Sequence, residues 1–429
     1  IFHKKPTVWP VVYGNNMQKT QHFHGPWIVG VAFVTLMGAF GLNLSGGQFF
    51  APLAQEYGWG LAALSSAAAL NMIVWGIFQP LMGRLIDRFG PKPIIVTSAA
   101  LMGTAFLLSS TISTVWEFYL YYGVLAAIGF AGCGSMANSV LVARWYVRGR
   151  ARMLARSAMG MNIGQLVFLP LTGWLIVVSG FRGAFLGLGV LMIVVIVPLV
   201  LFVAHSSPDK INQAPDGDEL STFTPPKSAS LSQAVRSSDF WAATFGFVTC
   251  GYSLYLVVIH LPRFAVDLGA NLATGGQVLG LAAGASAISM WVCGQLAGRA
   301  GKKNLLIGLY LVRALSLAFL AVSTEVWQLY AFALVYGLSS MPIIPLKTGL
   351  IGDLFGANAM GSILGTVWFL HQILAAIAVY LGGYLRVETG SYAAAFWSAA
   401  ILLLIGAAST SLIRSPGGPV PVKPNPAPG

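Results

Sequence analysis

The chain has 429 residues, of which 56% are hydrophobic and only 8% are charged, and its mean hydropathy is +0.76. A soluble globular protein carries about 25% charged residues, so this composition argues against a soluble protein and indicates a chain built to lie in lipid. The net charge of +12 does not indicate nucleic-acid binding, because the basic residues are scattered over short loops without interleaved aromatic residues.

The sequence carries no motif for enzyme chemistry. Cys133, Cys250 and Cys293 all lie in apolar segments, which predicts neither a disulfide framework nor a zinc site. There is no glycine-rich phosphate loop of the Walker type and no His-Glu-x-x-His motif. We therefore predict no enzyme activity, no cofactor and no metal, and expect any transport to be driven by an ion gradient or a counter-substrate.

Apolar runs long enough to span a bilayer, about 20 residues each, recur along the chain. They predict an all-α membrane protein with twelve transmembrane helices in two pseudo-symmetric six-helix halves. The predicted spans are 26–46, 60–82, 93–113, 117–142, 154–178, 182–204, 239–262, 274–297, 304–323, 326–350, 359–384 and 392–413. The predicted divisions are an N-terminal arm (1–24), a first half (25–204), a mostly flexible linker (205–237), a second half (238–413) and a disordered tail (414–429).

Charged residues are unevenly distributed between the two sides of the predicted bundle. One side, called here the basic face, carries Arg84, Arg88, Lys92, Arg144, Arg148, Arg150, Arg152, Arg299, Lys302 and Lys303. Because loops rich in lysine and arginine stay in the cytoplasm, we predict that this face, the linker and both termini are cytoplasmic. The compact loops favour a multi-pass protein of a bacterial inner membrane.

A short charged segment, 83–92, separates the second and third predicted helices, and a degraded copy of it begins 211 residues later at Gly294. We expect Asp87 to accept hydrogen bonds at the N-terminus of a neighbouring helix, where an anion is favoured. Arg84 and Arg88 are expected to pair with carboxylates across the bundle. The second copy has no aspartate, so its contact should be weaker. The predicted gating residues are Gly83, Arg84, Asp87, Arg88, Gly90, Lys92 and Arg299.

The pattern Gly-x-Leu-x-Asp-Arg-x-Gly-x-Lys resembles the signature loop of the major facilitator superfamily. Within that superfamily the chain resembles the monocarboxylate-transporter-like branch, with its bacterial members and the oxalate/formate exchangers. The segments that carry this second resemblance are 46–59, 143–146, 352–356 and 389–392. The resemblance implies a secondary transporter with a substrate site between its halves, near the middle of the bilayer.

Three positions depart from the pattern of that branch. The arginine that it places in helix 8 to hold a substrate carboxylate is Met290 here, and the lysine that its animal members carry in helix 1 is Leu44. The aspartate of the second signature loop is Gly298. The expected substrate is therefore either an anion held by a different cation or a less anionic molecule.

Ionisable residues inside a membrane are functional hypotheses by default, because burying their charge is costly. His371 can switch charge near neutral pH, or it can simply bond to a neighbouring helix. Lys347 can couple to substrate or protons, or it can snorkel to the membrane surface. Arg313 either replaces the missing helix 8 cation or forms an interhelical hydrogen bond. The predicted substrate-binding residues are Asn43, Tyr119, Tyr122, Asn138, Asn162, Gln165, Tyr255, Met290, Lys347, His371 and Gln372.

These observations predict a monomeric secondary transporter that moves a small organic anion, such as a monocarboxylate, by proton symport or exchange. Its partners would be the small-molecule substrate, a proton or counter-substrate, and membrane lipid, without nucleic acid. One alternative is a carrier of a neutral or hydrophobic solute, a drug or a metal chelate. Another is a non-transporting sensor or assembly factor on the same scaffold.

Overall fold

The computed structural model describes residues 22–218 and 228–414. Most of the predicted N-terminal arm, residues 219–227 of the linker and all of the predicted tail except Arg414 lie outside these ranges. Within them the chain forms only helices, turns and irregular segments, as the long apolar runs predict.

Eleven helical segments of the described residues are long and apolar enough to cross a bilayer. The segment Arg150–Val203 is broken at Gly180, whose φ of 68° and ψ of 174° are not helical, so the segments make up twelve spanning helices. The helices are α1 (Gly25–Tyr57), α2 (Leu61–Phe89), α3 (Pro91–Ser109), α4 (Val115–Trp145), α5 (150–179), α6 (181–203), α7 (Ser238–Asp267), α8 (Leu272–Leu296), α9 (Lys302–Ala321), α10 (Val326–Phe355), α11 (Met360–Thr389) and α12 (Ala393–Ser411). This confirms the predicted twelve-helix architecture.

The charged segment 83–92, predicted as a short turn between the second and third helices, is mostly helical. Residues up to Phe89 continue α2, and the reversal is confined to Gly90, whose φ is 90°. Gly301 also directly precedes its helix, α9, with a φ of 79°, although α8 already ends at Leu296. A side chain is disfavoured at such φ values, so glycine allows the chain to reverse directly before the next helix. The two copies therefore share a glycine with a positive φ directly before the next helix, as well as a sequence pattern.

Two of the helices that face the other half are interrupted near their middle. In α4 the break is at Gly134, and the Asn138 amide donates to the carbonyls of Cys133 and Gly134 at 2.7 and 3.0 Å. In α10 the break precedes Pro342, and the Met341 N–H donates to the Ser286 hydroxyl of α8 at 3.3 Å. Buried backbone groups released by a break need such partners, since no water replaces them in a membrane.

The first part of the linker is docked and not the flexible tether predicted from its composition. Asp216 accepts hydrogen bonds from the backbone N–H groups of Val147 and Arg148 at 3.1 and 2.9 Å. The side chain of Arg148 also pairs with Asp218. The linker's acidic residues thus neutralise the loop between α4 and α5, which the composition alone does not reveal.

The main contacts between the two six-helix halves involve α2 with α11, α5 with α8 and α10, and α4 with α10 and α11. They are closest at the basic face. A Cβ atom on Gly83 of α2 would lie 2.2 Å from the Gly361 carbonyl of α11, and one on Gly294 of α8 would lie 2.6 Å from Ala155 of α5. The basic face is therefore tightly closed in this conformation.

Candidate functional site

The Asp87 carboxylate joins the two halves at the basic face. Its Oδ1 accepts a hydrogen bond from the Gly361 backbone N–H at 2.8 Å, and its Oδ2 accepts one from Ser362 at 2.7 Å. Both amides belong to the first turn of α11, where backbone N–H groups lack partners within the helix and the helix dipole favours an anion. This is the contact expected from the sequence, and its role in gating stays a prediction.

Arg84 and Arg88 do not form the ion pairs across the bundle that the sequence predicts. Both side chains are exposed, and neither takes part in an ion pair among the described residues. The Arg88 guanidinium lies over the ring of Phe89, 5.0 Å from its centroid. The prediction is wrong because the first turn of α11, which packs against this end of α2, presents amides and no carboxylate.

A second polar contact between the halves is centred on Asp353, which was not among the predicted site residues. Asp353 lies at the end of α10 and pairs with Arg150 of α5 at 3.2 Å and with Lys302 of α9. The Arg150 side chain is only 2% exposed, so this ion pair is largely shielded from water. A lone acid at the end of a helix on the basic face was the signal available in the sequence.

This cluster also involves the helix that follows the second signature loop, whose contact was expected to be weaker. Arg299 is exposed and has no ion pair among the described residues. The loop lacks its own aspartate, but Asp353 supplies a carboxylate to Lys302 from α10. The second half therefore has a charged contact with the first half, through a different helix from the one the loop pattern indicates.

Three of the predicted polar residues of the first half make local contacts near α4. The Tyr122 hydroxyl donates to the Asn43 carbonyl at 3.4 Å, and the Tyr119 hydroxyl donates to the Ala63 carbonyl at 3.0 Å. Asn43 Oδ1 is buried without a hydrogen-bond partner. These contacts join α4 to α1 and α2.

The remaining predicted substrate-binding residues of the first half differ in how many of their side-chain polar atoms have hydrogen-bond partners. Asn138 uses its amide nitrogen at the Gly134 break, whereas its Oδ1 is buried without a partner. Asn162 of α5 is 4% exposed, and neither of its side-chain polar atoms has a partner. Gln165, one turn further along, is half-buried. An unsatisfied buried amide costs free energy unless something else binds it, which makes Asn162 the strongest of these as a ligand contact.

His371 of α11 is 1% exposed and lies among aromatic rings. Its ring centroid is 4.6 Å from that of Phe247 and 6.4 Å from that of Tyr255. Its Nδ1 is 3.0 Å from Gln372 Oε1, which only accepts, so Nδ1 carries the proton. Nε2 is then a buried acceptor without a partner. The structure thus brings His371, Gln372 and Tyr255 together. In this group the Nε2 atom of His371 is a basic nitrogen that accepts no hydrogen bond from the described residues.

Lys347 of α10 does not snorkel to the membrane surface. Its side chain is fully buried, and its Nζ lies 5.7 Å from the centroid of the Tyr310 ring on α9. The Nζ has no hydrogen-bond partner and no ion pair among the described residues. The snorkelling alternative is wrong because α10 turns this position towards α7 and α9, inside the second half.

Arg313 of α9 is fully buried and forms the interhelical hydrogen bonds that the sequence left as one alternative. Its Nη1 donates to Cys250 Sγ at 3.0 Å and its Nη2 donates to the Tyr336 hydroxyl at 2.8 Å. Met290, at the position where the branch pattern has arginine, is also fully buried. The cations inside the second half therefore come from α9 and α10, not from α8.

The predicted site residues form two groups. No hydrogen bond among the described residues joins the predicted substrate-binding residues of the first half to those of the second. Gly76 of α2 nevertheless approaches the second group, since a Cβ atom there would lie 3.0 Å from Gln372 Cβ. The His371 group therefore lies at the seam between the halves, whereas Lys347 lies deeper in the second half.

Known proteins resemble this chain over most of its length. Residues 31–379 match the family model described as Major Facilitator Superfamily. An uncharacterized MFS-type transporter, YcxA of Bacillus subtilis, is 26% identical over 84% of this chain and 89% of its own length. Human monocarboxylate transporter 11 is 28% identical over 89% of this chain and 81% of its own length. These relatives are named as transporters, not enzymes.

Solved structures share the fold at low sequence identity. The proton:xylose symporter XylE matches with a TM-score of 0.74 and 14% identity, over 91% of this chain and 96% of its own. The symporter FucP in its outward conformation matches with a TM-score of 0.71 and 15% identity, over 92% of this chain and 100% of its own. The family match over most of the chain and the twelve-helix fold lead to one conclusion: this multi-pass membrane protein belongs to the Major Facilitator Superfamily.

Proposed function

We propose that the protein is a secondary active transporter of a small organic anion of the monocarboxylate type, driven by proton symport or exchange. Relatives named as monocarboxylate transporters favour an acid as the substrate. The observation that carries the proposal is the pair of fully buried cations in the second half, Lys347 and Arg313, neither of which has a carboxylate partner in the part of the chain that the structure describes.

Lys347 is the cation that remains available to a substrate. A buried ammonium without a partner costs several kcal/mol, so a carboxylate that paired with Lys347 would be bound favourably. Arg313 donates through both terminal nitrogens to Cys250 and Tyr336 and leaves only its Nε unpaired, whereas Lys347 Nζ has no partner at all among the described residues. Lys347 can therefore supply the positive charge that Met290 does not. A substrate carboxylate would reach it when α10 moves relative to α7 and α9 within the second half.

His371 is the residue that we propose to carry the proton. Its Nδ1–H is held by Gln372, which leaves the Nε2 lone pair as the site of proton uptake. The aromatic rings around it exclude water, and the seam between the halves gives it access to either side as they rock. Protonation of Nε2 adds a positive charge next to an arriving anion, so proton and anion binding assist each other.

Alternating access would be controlled at the basic face. With the Asp87 and Asp353 contacts formed, the halves are closed there, and we propose that substrate enters from the opposite, extracellular side. Separation of these contacts would then open the cytoplasmic side of a bacterial inner membrane. In this scheme the halves 25–204 and 238–413 move as two bodies.

The test is uptake into proteoliposomes of a radiolabelled panel containing lactate, pyruvate, oxalate, an aromatic acid and a neutral amino acid. We expect one acid to be taken up and an inward proton gradient to increase its accumulation, by up to about tenfold per pH unit for one proton per anion. The His371→Gln variant should lose the effect of the gradient but retain exchange. The Lys347→Met variant should lose acid uptake altogether.

The matched control is His260→Gln, which changes another buried histidine of the second half. His260 Nε2 donates to the Val379 carbonyl at 2.9 Å, and this histidine is not the one proposed to carry the proton, so the gradient effect should persist. Failure of folded protein to take up any acid, together with uptake of the neutral amino acid, would overturn the proposal. It would favour the neutral-solute alternative instead.

A further inference from the structure

A cleft of 540 Å³ opens on the basic face of the first half, between the end of α2 and the chain that follows α6. We call it the basic cleft. All its lining residues belong to the first half and the chain after α6, and it borders the Asp87 contact. Its lining residues are Asp87, Arg88, Phe89, Gly90, Lys92, Arg144, His205, Ser206, Ser207 and Lys210.

The charge of the basic cleft is strongly unbalanced. Four cations line it, and none of them takes part in an ion pair within 4.0 Å among the described residues. Asp87 is the one carboxylate in the lining, and both its oxygens already accept hydrogen bonds from α11. Asp209 lies near enough to interact with Arg144 but does not line the cleft. The cations of the cleft therefore outnumber the nearby carboxylates.

The walls of the cleft are held by polar contacts. The Lys92 backbone N–H donates to the Ser206 hydroxyl at 3.3 Å, which ties the start of α3 to the chain after α6. The Trp145 indole donates to the His205 carbonyl at 3.0 Å, which ties the same chain to the end of α4. Burial lowers the pKa of His205, and the neighbouring His24 and Lys92 charges act in the same direction. The cleft thus has walls fixed by hydrogen bonds, and hydroxyl, imidazole, lysine and arginine groups line it.

From this arrangement we infer that the basic cleft binds a phosphate group, supplied by an anionic phospholipid of the surrounding leaflet. Lysine and arginine are the residues that recognise phosphate oxygens, and a hydroxyl can donate a further bond. Basic pockets between transmembrane helices on the cytoplasmic side are suited to lipid headgroups. The inference does not depend on the transported substrate.

Apolar side chains at the rim favour a lipid over a free phosphate. Phe89 lines the cleft and is 55% exposed, and Phe202, just before the lining segment that begins at His205, is 77% exposed. Large exposed aromatic groups at this depth would contact acyl chains, since lipid covers the outer surface of the bundle. A glycerophospholipid satisfies the cations with its headgroup and these rings with its chains.

The experiment is native mass spectrometry of the full chain in detergent, titrated with phosphatidylglycerol and, in parallel, with phosphatidylcholine of the same chains. We expect one phosphatidylglycerol to bind more tightly than further copies and more tightly than phosphatidylcholine. The Lys92→Gln/Lys210→Gln double variant should weaken that binding by about tenfold or more, since a charge-assisted hydrogen bond contributes about 1.5–3 kcal/mol. Arg236→Gln, which removes an exposed cation outside the cleft, is the matched control.

The outcomes test the inference and distinguish a phospholipid from a soluble molecule as the source of the phosphate group. The melting temperature of the double variant shows whether it is folded like the wild type. If it is, and phosphatidylglycerol binds both proteins with equal affinity, the inference is overturned. Equal binding of the two lipids would overturn it as well. Displacement of phosphatidylglycerol by millimolar glycerol 3-phosphate or inorganic phosphate would reject the lipid as the source and identify a soluble phosphate ligand.

Discussion

At the scale of single residues, two carboxylates on the basic face join the halves in different ways. Asp87 accepts from the backbone amides of Gly361 and Ser362, so its contact depends on where α11 begins. Asp353 pairs with the side chains of Arg150 and Lys302, so its contact depends on charge. Substitution by asparagine therefore tests different properties at the two positions.

For Asp87→Asn we expect the transport turnover to fall about tenfold while the apparent affinity for substrate changes much less. The variant loses one charged acceptor, and a hydrogen bond to a charged group contributes about 1.5–3 kcal/mol. That loss destabilises the conformation closed at the basic face without touching the substrate groups. Initial uptake rates against substrate concentration in proteoliposomes measure both quantities. Asp218→Asn, which alters an acid of the linker, is the control, and an unchanged turnover in Asp87→Asn would remove the gating role.

For Asp353→Asn we expect a loss of stability of about 3 kcal/mol, at the lower end of the range for breaking a buried ion pair because Asp353 is 22% exposed. The loss arises because Arg150 stays buried without its counter-charge. Thermal unfolding of the detergent-purified protein measures it. The double variant Asp353→Asn/Arg150→Met should be more stable than the single variant, because the unpaired guanidinium is gone. A melting temperature equal to that of the wild type would contradict this account.

At the scale of helices, the closest approach between the halves is made by glycines of α2 and α11. A Cβ on Gly83 would lie 2.2 Å from the Gly361 carbonyl, and a Cβ on Gly365 would lie 2.5 Å from the Gln79 carbonyl. Small residues let helices in a membrane pack backbone to backbone. The α2–α11 contact is therefore sensitive to a single methyl group.

We expect Gly83→Ala to separate α2 from α11 and to shift the protein towards a conformation open at the basic face. The control is Gly308→Ala in α9, where a Cβ would meet no atom within 4 Å. Spin labels at Arg88→Cys and Arg299→Cys, both exposed, report the distance between the two halves by double electron–electron resonance. A longer distance in Gly83→Ala alone is the expected result. Identical distance distributions in the folded variant and the wild type would contradict it.

At the scale of the whole molecule, the basic face predicts how the protein is oriented in the membrane. Arg236 lies exposed on that face before α7, and Glu388 lies exposed at the opposite end of α11. A membrane-impermeant maleimide should therefore label Glu388→Cys in intact cells and Arg236→Cys only after permeabilisation. The three native cysteines are buried, so their background should be low. The reverse labelling pattern would overturn the cytoplasmic assignment of the basic face.

The number of spanning helices and the position of the basic face could be read from the order of amino acids. A helix must supply about 20 apolar residues to cross the bilayer, and loops carry the few charges, so both patterns are local in the chain. The Asp87 contact could be anticipated for the same reason, because it needs only a helix N-terminus nearby. The extension of α2 to Phe89 could not, because apolar runs mark the lipid thickness and not the end of the helix.

Tertiary structure alone decided which polar residues meet. Asp353 finds Arg150 across 203 positions of the chain, and Lys347 turns inward towards Tyr310 instead of outward to the surface. In a soluble protein, polar and apolar faces would indicate which side of each helix is buried. In a membrane, lipid and protein interior are both apolar, so periodicity does not reveal the buried side, and the partners of a buried charge emerge only when the helices are packed together.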